Sequence, residues 1–98
     1  MDGGHPKMSD ATLYRLINVF RRVGSEKAII YRCFELISEG RFVIQSADWI
    51  QLPVNSETMS HHERQLWELF CEEAPEQRSV PYASIEEAIA AFDAEFGN

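Results

Sequence analysis

The sequence predicts a mainly α domain with one short β element, in the order α-α-β-α-α. Three observations lead there. Apolar side chains recur at helical spacing through four segments, Gly24, Gly40 and Pro75 stand where three of those stripes stop, and one run, Arg41 to Ser46, reads as extended. The alternative is an α+β domain of order α-β-β-α-α, in which residues 26–39 are a strand that returns on the next one as a hairpin.

The first helix is predicted from about Ala11 to Val23. Leu13, Leu16, Ile17 and Phe20 recur at i, i+3, i+4 and i+7, with Arg15, Asn18 and Arg22 opposite. Ser9 or Asp10 can cap its start, and Gly24 suits the left-handed residue that closes many helices.

Residues 26–39 carry two signals. Ile29, Ile30, Tyr31, Cys33, Phe34 and Ile37 favour strands. Yet alternation puts charge and bulk on both faces, with Arg32 among Ile30, Phe34 and Leu36, and Glu35 among Ile29, Tyr31, Cys33 and Ile37. A helical wheel sorts them more cleanly, so the period predicts a second helix from Glu26 to Glu39. A two-residue link, Gly24-Ser25, makes the two helices antiparallel neighbours.

Arg41 to Ser46 then forms the β element, and Trp49, Ile50 and Leu52 extend the apolar thread as far as Pro53. A lone strand needs a partner for its backbone groups, which could be residues 47–52, the Val80 to Tyr82 stretch or a second copy of the chain. The third helix starts near Ser60, where Ser60 and Glu63 match a capping box, and ends before Pro75. A loop through Pro81 follows. The fourth helix runs from Ile85 to Phe96, capped by Ser84 with Glu87, along the stripe Ile85, Ala88, Ile89, Phe92 and Phe96.

The 98 residues suit one domain, read as a flexible tail over 1–8 and a single compact unit over 9–98. An apolar content of 45%, including six Phe, is enough for a core and argues against disorder. No run approaches the ~20 apolar residues that cross a bilayer, and the N-terminus lacks the pattern of a secretory signal. Cys33 and Cys71 are too few for a disulfide framework and are read as buried thiols. A reducing, cytoplasmic setting follows.

Charge divides the chain. Residues 1–56 hold seven Lys/Arg against six Asp/Glu, whereas 57–98 hold two against ten. The acidic half opposes nucleic-acid binding, which relies on cations to neutralise phosphates, and suits a basic protein partner.

Chemistry is scarce. His61-His62-Glu63 is the only cluster of ligand types, but adjacent helical residues diverge by about 100°, and Leu66 stands where H-E-x-x-H needs its second histidine. Cys71 precedes Glu72 and Glu73, which disfavour a thiolate. The carboxylate pairs Glu72-Glu73 and Glu86-Glu87 read as caps or solvated charge. No cofactor, metal or catalytic residue is assigned. The expected function is a non-catalytic protein–protein interaction module: a small acidic adaptor or neutralising, immunity-type partner, or a homodimer that pairs its strand across chains. Trp49, Trp67, Phe70 and Tyr82, at element junctions, are its candidate contact residues. The competing expectation is a small enzyme or ligand-binding domain with a site at a dimer interface near His61–Glu63.

Overall fold

The computed structural model describes residues 12–97. The expected tail over 1–8 and the Ser9 or Asp10 cap lie outside them. In the described residues, strands β1 (Tyr14–Val23), β2 (Lys27–Leu36) and β3 (Arg41–Gln51) come first. Helices α1 (Ser56–Glu72), α2 (Pro75–Arg78) and α3 (Ile85–Phe96) follow. The chain is thus an α+β domain, β-β-β-α-α-α, not a mainly helical one. Both predicted helices of the first third, Ala11–Val23 and Glu26–Glu39, are strands. The alternative order α-β-β-α-α fails at its first element, although the hairpin it contained is present.

The sheet is an antiparallel meander in the order β1-β2-β3. Gly24 at φ 72° and Gly40 at φ 64° take the left-handed backbone. The feature that favours glycine at a helix end serves equally at a hairpin turn. β1 pairs with β2 without interruption from Tyr14↔Leu36 to Val23↔Lys27. Between β2 and β3 the register shifts at Arg32/Cys33, where Gln45 is the extra residue of a bulge. The predicted strand 41–46 and the apolar thread after it are therefore one continuous strand, and its partner is β2.

β2 fails the alternation test because both of its faces are covered. Ile29 through Phe34 are all buried, and a strand enclosed on both sides has no polar face to alternate with. On one face, Ile29, Tyr31, Cys33 and Ile44 pack against Ala88, Ile89 and Phe92 of α3. On the other, Phe34, Leu36 and Val43 pack against Leu66 and Phe70 of α1, with Tyr14 and Leu16 at the margin. Each large side chain so enclosed contributes about 1.5–3 kcal/mol.

The charges that spoiled the strand pattern are neutralised within the sheet. Arg32 Nε donates to Asp48 Oδ2 at 2.9 Å and Nη1 donates to Asn18 Oδ1 at 3.3 Å. Arg15 of β1 pairs with Glu35 of β2 at 2.8 Å.

α1 begins four residues before the predicted start. Asn55 accepts from the Thr58 N–H at 3.0 Å, so Ser60 and Glu63 lie inside the helix and are not its cap. A short helix, α2, occupies part of the expected loop before Pro81. α3 matches its predicted span, and Ser84 Oγ accepts from the Glu87 N–H at 3.1 Å.

Candidate functional site

The two outer edges of the sheet differ. β3 is bulged at Gln45, and its first part is covered: Phe42 and Tyr82 exchange backbone hydrogen bonds at 2.8 and 2.7 Å. Arg41 holds that cover in place by donating to the Pro81 carbonyl at 2.8 Å. β1 has neither device. It is ten residues long and regular, and among the described residues no backbone group bonds to its outer side.

The direction of its backbone groups follows from one bond. The Ile37 N–H donates to the Leu13 carbonyl, so odd-numbered residues of β1 face β2. By alternation Tyr14, Leu16, Asn18, Phe20 and Arg22 turn their N–H and C=O groups outward. The side chains of these same residues share the α1 face of the sheet. Phe20 is the exposed one among the apolar members, with 66% of its surface open.

The ends of β1 carry opposite charge. At the Val23 end, Arg22 has no carboxylate partner among the described residues, and Arg21 is tied to Asp93 at 2.8 Å. At the Tyr14 end, a groove of about 310 Å³ is lined by Thr12, Tyr14, Phe70, Cys71, Glu72, Glu73, Ala74 and Pro75. Glu76 adds a third carboxylate there, accepting from the Tyr14 hydroxyl at 2.7 and 3.0 Å. Arg78 is the one guanidinium among them, 3.2 Å from Glu72 and 3.9 Å from Glu73, so acid predominates.

The ionisable groups feel the same surroundings. Burial, then the hydrogen bond to Glu76 and the nearby charges of Glu76 and Glu39, raise the pKa of Tyr14 above the usual phenol range. Tyr31 is raised by burial and by donating to Asp93 at 2.8 Å. Arg21, which lies over the Tyr31 ring at 5.4 Å, is raised mainly by its bond to Asp93. Arg21, Tyr31 and Asp93 thus clamp the end of α3 onto β1 and β2. Burial pushes the Cys33 thiol up to about 12.

No known protein family, curated protein or solved structure matches this chain.

The residues singled out from the sequence are not gathered in one place. Trp67 and Phe70 adjoin on α1 with ring centroids 6.2 Å apart. Phe70 stacks on Phe34 at 4.8 Å and meets Tyr14 edge-on at 5.3 Å, so it is half core and half wall of the acidic groove. Trp67 is half exposed and donates from Nε1 to Glu63 at 3.1 Å. Tyr82 belongs to the other core cluster, under α3. Trp49, on β3, lines a hollow of about 170 Å³ with Val54, Thr58 and Met59.

His61 is exposed and His62 half-buried, with rings 6.2 Å apart. Among the described residues no three His, Cys, Asp or Glu side chains are placed to hold a metal. Cys33 is buried as expected, whereas Cys71, expected to be buried, is exposed on α1, where it lines the open groove beside Tyr14; neither is in a disulfide. Among the described residues no helix is long and apolar enough to cross a membrane.

The β1 edge was missed because its residues fit a helical stripe. The signal that could have found it is the spacing of Gly24 and Gly40, which cuts the first half into three runs of strand length rich in Ile, Val, Phe and Tyr.

Proposed function

We propose that this chain is a non-catalytic protein–protein interaction module that binds through the outer edge of β1. One observation carries the reading: a ten-residue strand without a bulge offers its outward backbone groups beside an exposed Phe20. Such an edge is a template for another strand, and natural proteins usually blunt it with bulges, covers or short length. β3 is blunted in this way and β1 is not. Arginines at 15, 21 and 22 are the only deterrent on β1, and two of them are engaged with carboxylates. The reading includes a cytoplasmic setting, where two unbridged thiols persist, and an adaptor or neutralising role.

The test compares two baits in extract from native cells: the wild-type chain and Phe20→Pro. Proline at position 20 removes an outward N–H that bonds to nothing in the sheet, so the fold is expected to survive, as circular dichroism can check. The wild-type bait should retain a binding partner that the variant loses. Identical retention by both baits would sink the reading.

A further inference from the structure

We propose that the occupant of the β1 edge is a second copy of this chain, its β1 running antiparallel with Asn18 opposite Asn18 across a two-fold axis. The inference rests on the reading of β1 as a binding edge and adds the partner and the register.

Antiparallel pairing about a two-fold axis must set outward-facing residues against outward-facing residues. With the axis at Asn18, Leu16 meets Phe20, Ile17 meets Val19, and Tyr14 meets Arg22, each pair occurring twice. The exposed Phe20 is thereby covered by an apolar neighbour, and aromatic–aliphatic pairs of this kind stabilise strand pairing. Asn18 uses its amide oxygen within its own chain, accepting from Arg32, and keeps its amide N–H groups to donate across the axis. Arg15 falls opposite Arg21, but each brings its own carboxylate, Glu35 and Asp93.

Charge selects the same arrangement. Arg22, which has no carboxylate partner among the described residues, is carried to Tyr14 of the other copy, at the mouth of the groove walled by Glu72 and Glu73, with Glu76 on the Tyr14 hydroxyl. The basic end of one strand meets the acidic end of the other, at both ends of the interface. Neighbouring registers lose this match. An axis at Ile17 sets Leu16 against Asn18 and Arg15 against Val19. An axis at Val19 sets Ile17 against Arg21 and Leu16 against Arg22. The result is a continuous six-stranded sheet with α1 of both copies on one face and α3 of both on the other.

Measurements on the whole 98-residue chain test it. Sedimentation or light scattering across a concentration series should show a monomer–dimer equilibrium. Phe20→Pro should raise its dissociation constant roughly 100-fold, because the two-fold axis applies each lost hydrogen bond and side-chain contact twice. Arg22→Glu should raise it about tenfold, with a smaller effect at high salt. Nitroxides placed by Val23→Cys, with the exposed Cys71 replaced by Ser, fix the register. The two position-23 backbones should lie about 33 Å apart, against roughly 40 Å for the axis at Ile17 and roughly 26 Å for the axis at Val19.

A dimer that Phe20→Pro leaves intact pairs through another surface, and that overturns the proposal. So does a label separation matching a different register. A chain that stays monomeric up to about 1 mM overturns it too. In that last case, bait retention that still depends on Phe20 would leave the binding edge standing with a different protein as its partner.

Discussion

The edges of this three-stranded sheet are built to opposite specifications. β3 carries a bulge at Gln45, a backbone bridge from Tyr82 to Phe42 and a buried ion pair, Asp48 with Arg32. β1 has uninterrupted register, an exposed aromatic and two ion pairs with half-exposed or exposed arginines, Arg15–Glu35 and Arg21–Asp93. Both edges lean on the same central strand. The difference teaches that edge exposure here is position-specific: the bulge and the backbone cover that block strand addition are both placed on β3, and β1 has only its arginines.

The largest expected effect sharpens this contrast through the charges. Asp48→Ala would leave Arg32 buried without its counter-ion, since the pair's side chains are only 6% and 11% exposed, and should cost about 3–5 kcal/mol. Arg15→Ala removes a pair whose arginine is 62% exposed and should cost about 1 kcal/mol or less. Urea unfolding of both variants checks this, and equal losses would show that the two edges are held alike.

Next in size is a loss common to both edges, because it acts on the central strand. Burial pushes the Cys33 thiol up from the ordinary value of 9.0 to about 12, so the folded state holds its proton more tightly. That contribution is complete below pH 9 and is lost as pH rises from about 9 to about 12, by proton linkage. Tyr31 and Tyr14, both raised, act in the same direction. Urea midpoints should fall across that window, and Cys33→Ala should make the fall shallower.

A smaller effect should come from uncovering β3. Arg41→Ala removes the bond that holds Pro81 beside the strand, worth about 0.5–1.5 kcal/mol. Amide exchange at Phe42 should quicken, while exchange along β1 stays unchanged. The smallest stability change belongs to β1 itself. Phe20→Lys, at an exposed position without a described partner, should shift stability by no more than about 0.5 kcal/mol. Its effect should show in association alone, and a large loss of stability would mean that Phe20 serves the fold and not an interface.

Legibility of the sequence varied along the chain for physical reasons. α3 was readable because one face is buried and the other solvated, and because Ser84 and Glu87 mark its start. α1 was readable as a helix but not at its true start, since Asn55 caps as well as Ser60 could and Ser60-x-x-Glu63 copies a capping box within the helix. β1 and β2 were misread for different causes. In β1, Leu13, Leu16, Ile17 and Phe20 fit a helical stripe by coincidence of spacing; in the sheet they divide, with Leu16 and Phe20 on one face and Leu13 and Ile17 on the other. In β2, Arg32 and Glu35 broke the alternation because their counter-charges, Asp48 and Glu35's own partner Arg15, lie on neighbouring strands. The open edge of β1 was hidden with it, since an edge exists only once the sheet does.

By itself the sequence determined where elements break, the extended nature of 41–46 and the helix of 85–96. Those features depend on residues within a few positions of one another: glycines free to take positive φ, prolines without an N–H, serines able to cap. Only the tertiary structure decided that residues 14–23 and 27–36 form strands and that β1 is left at the rim. A strand's hydrogen bonds and its second covered face come from distant segments, whereas a helix closes its own.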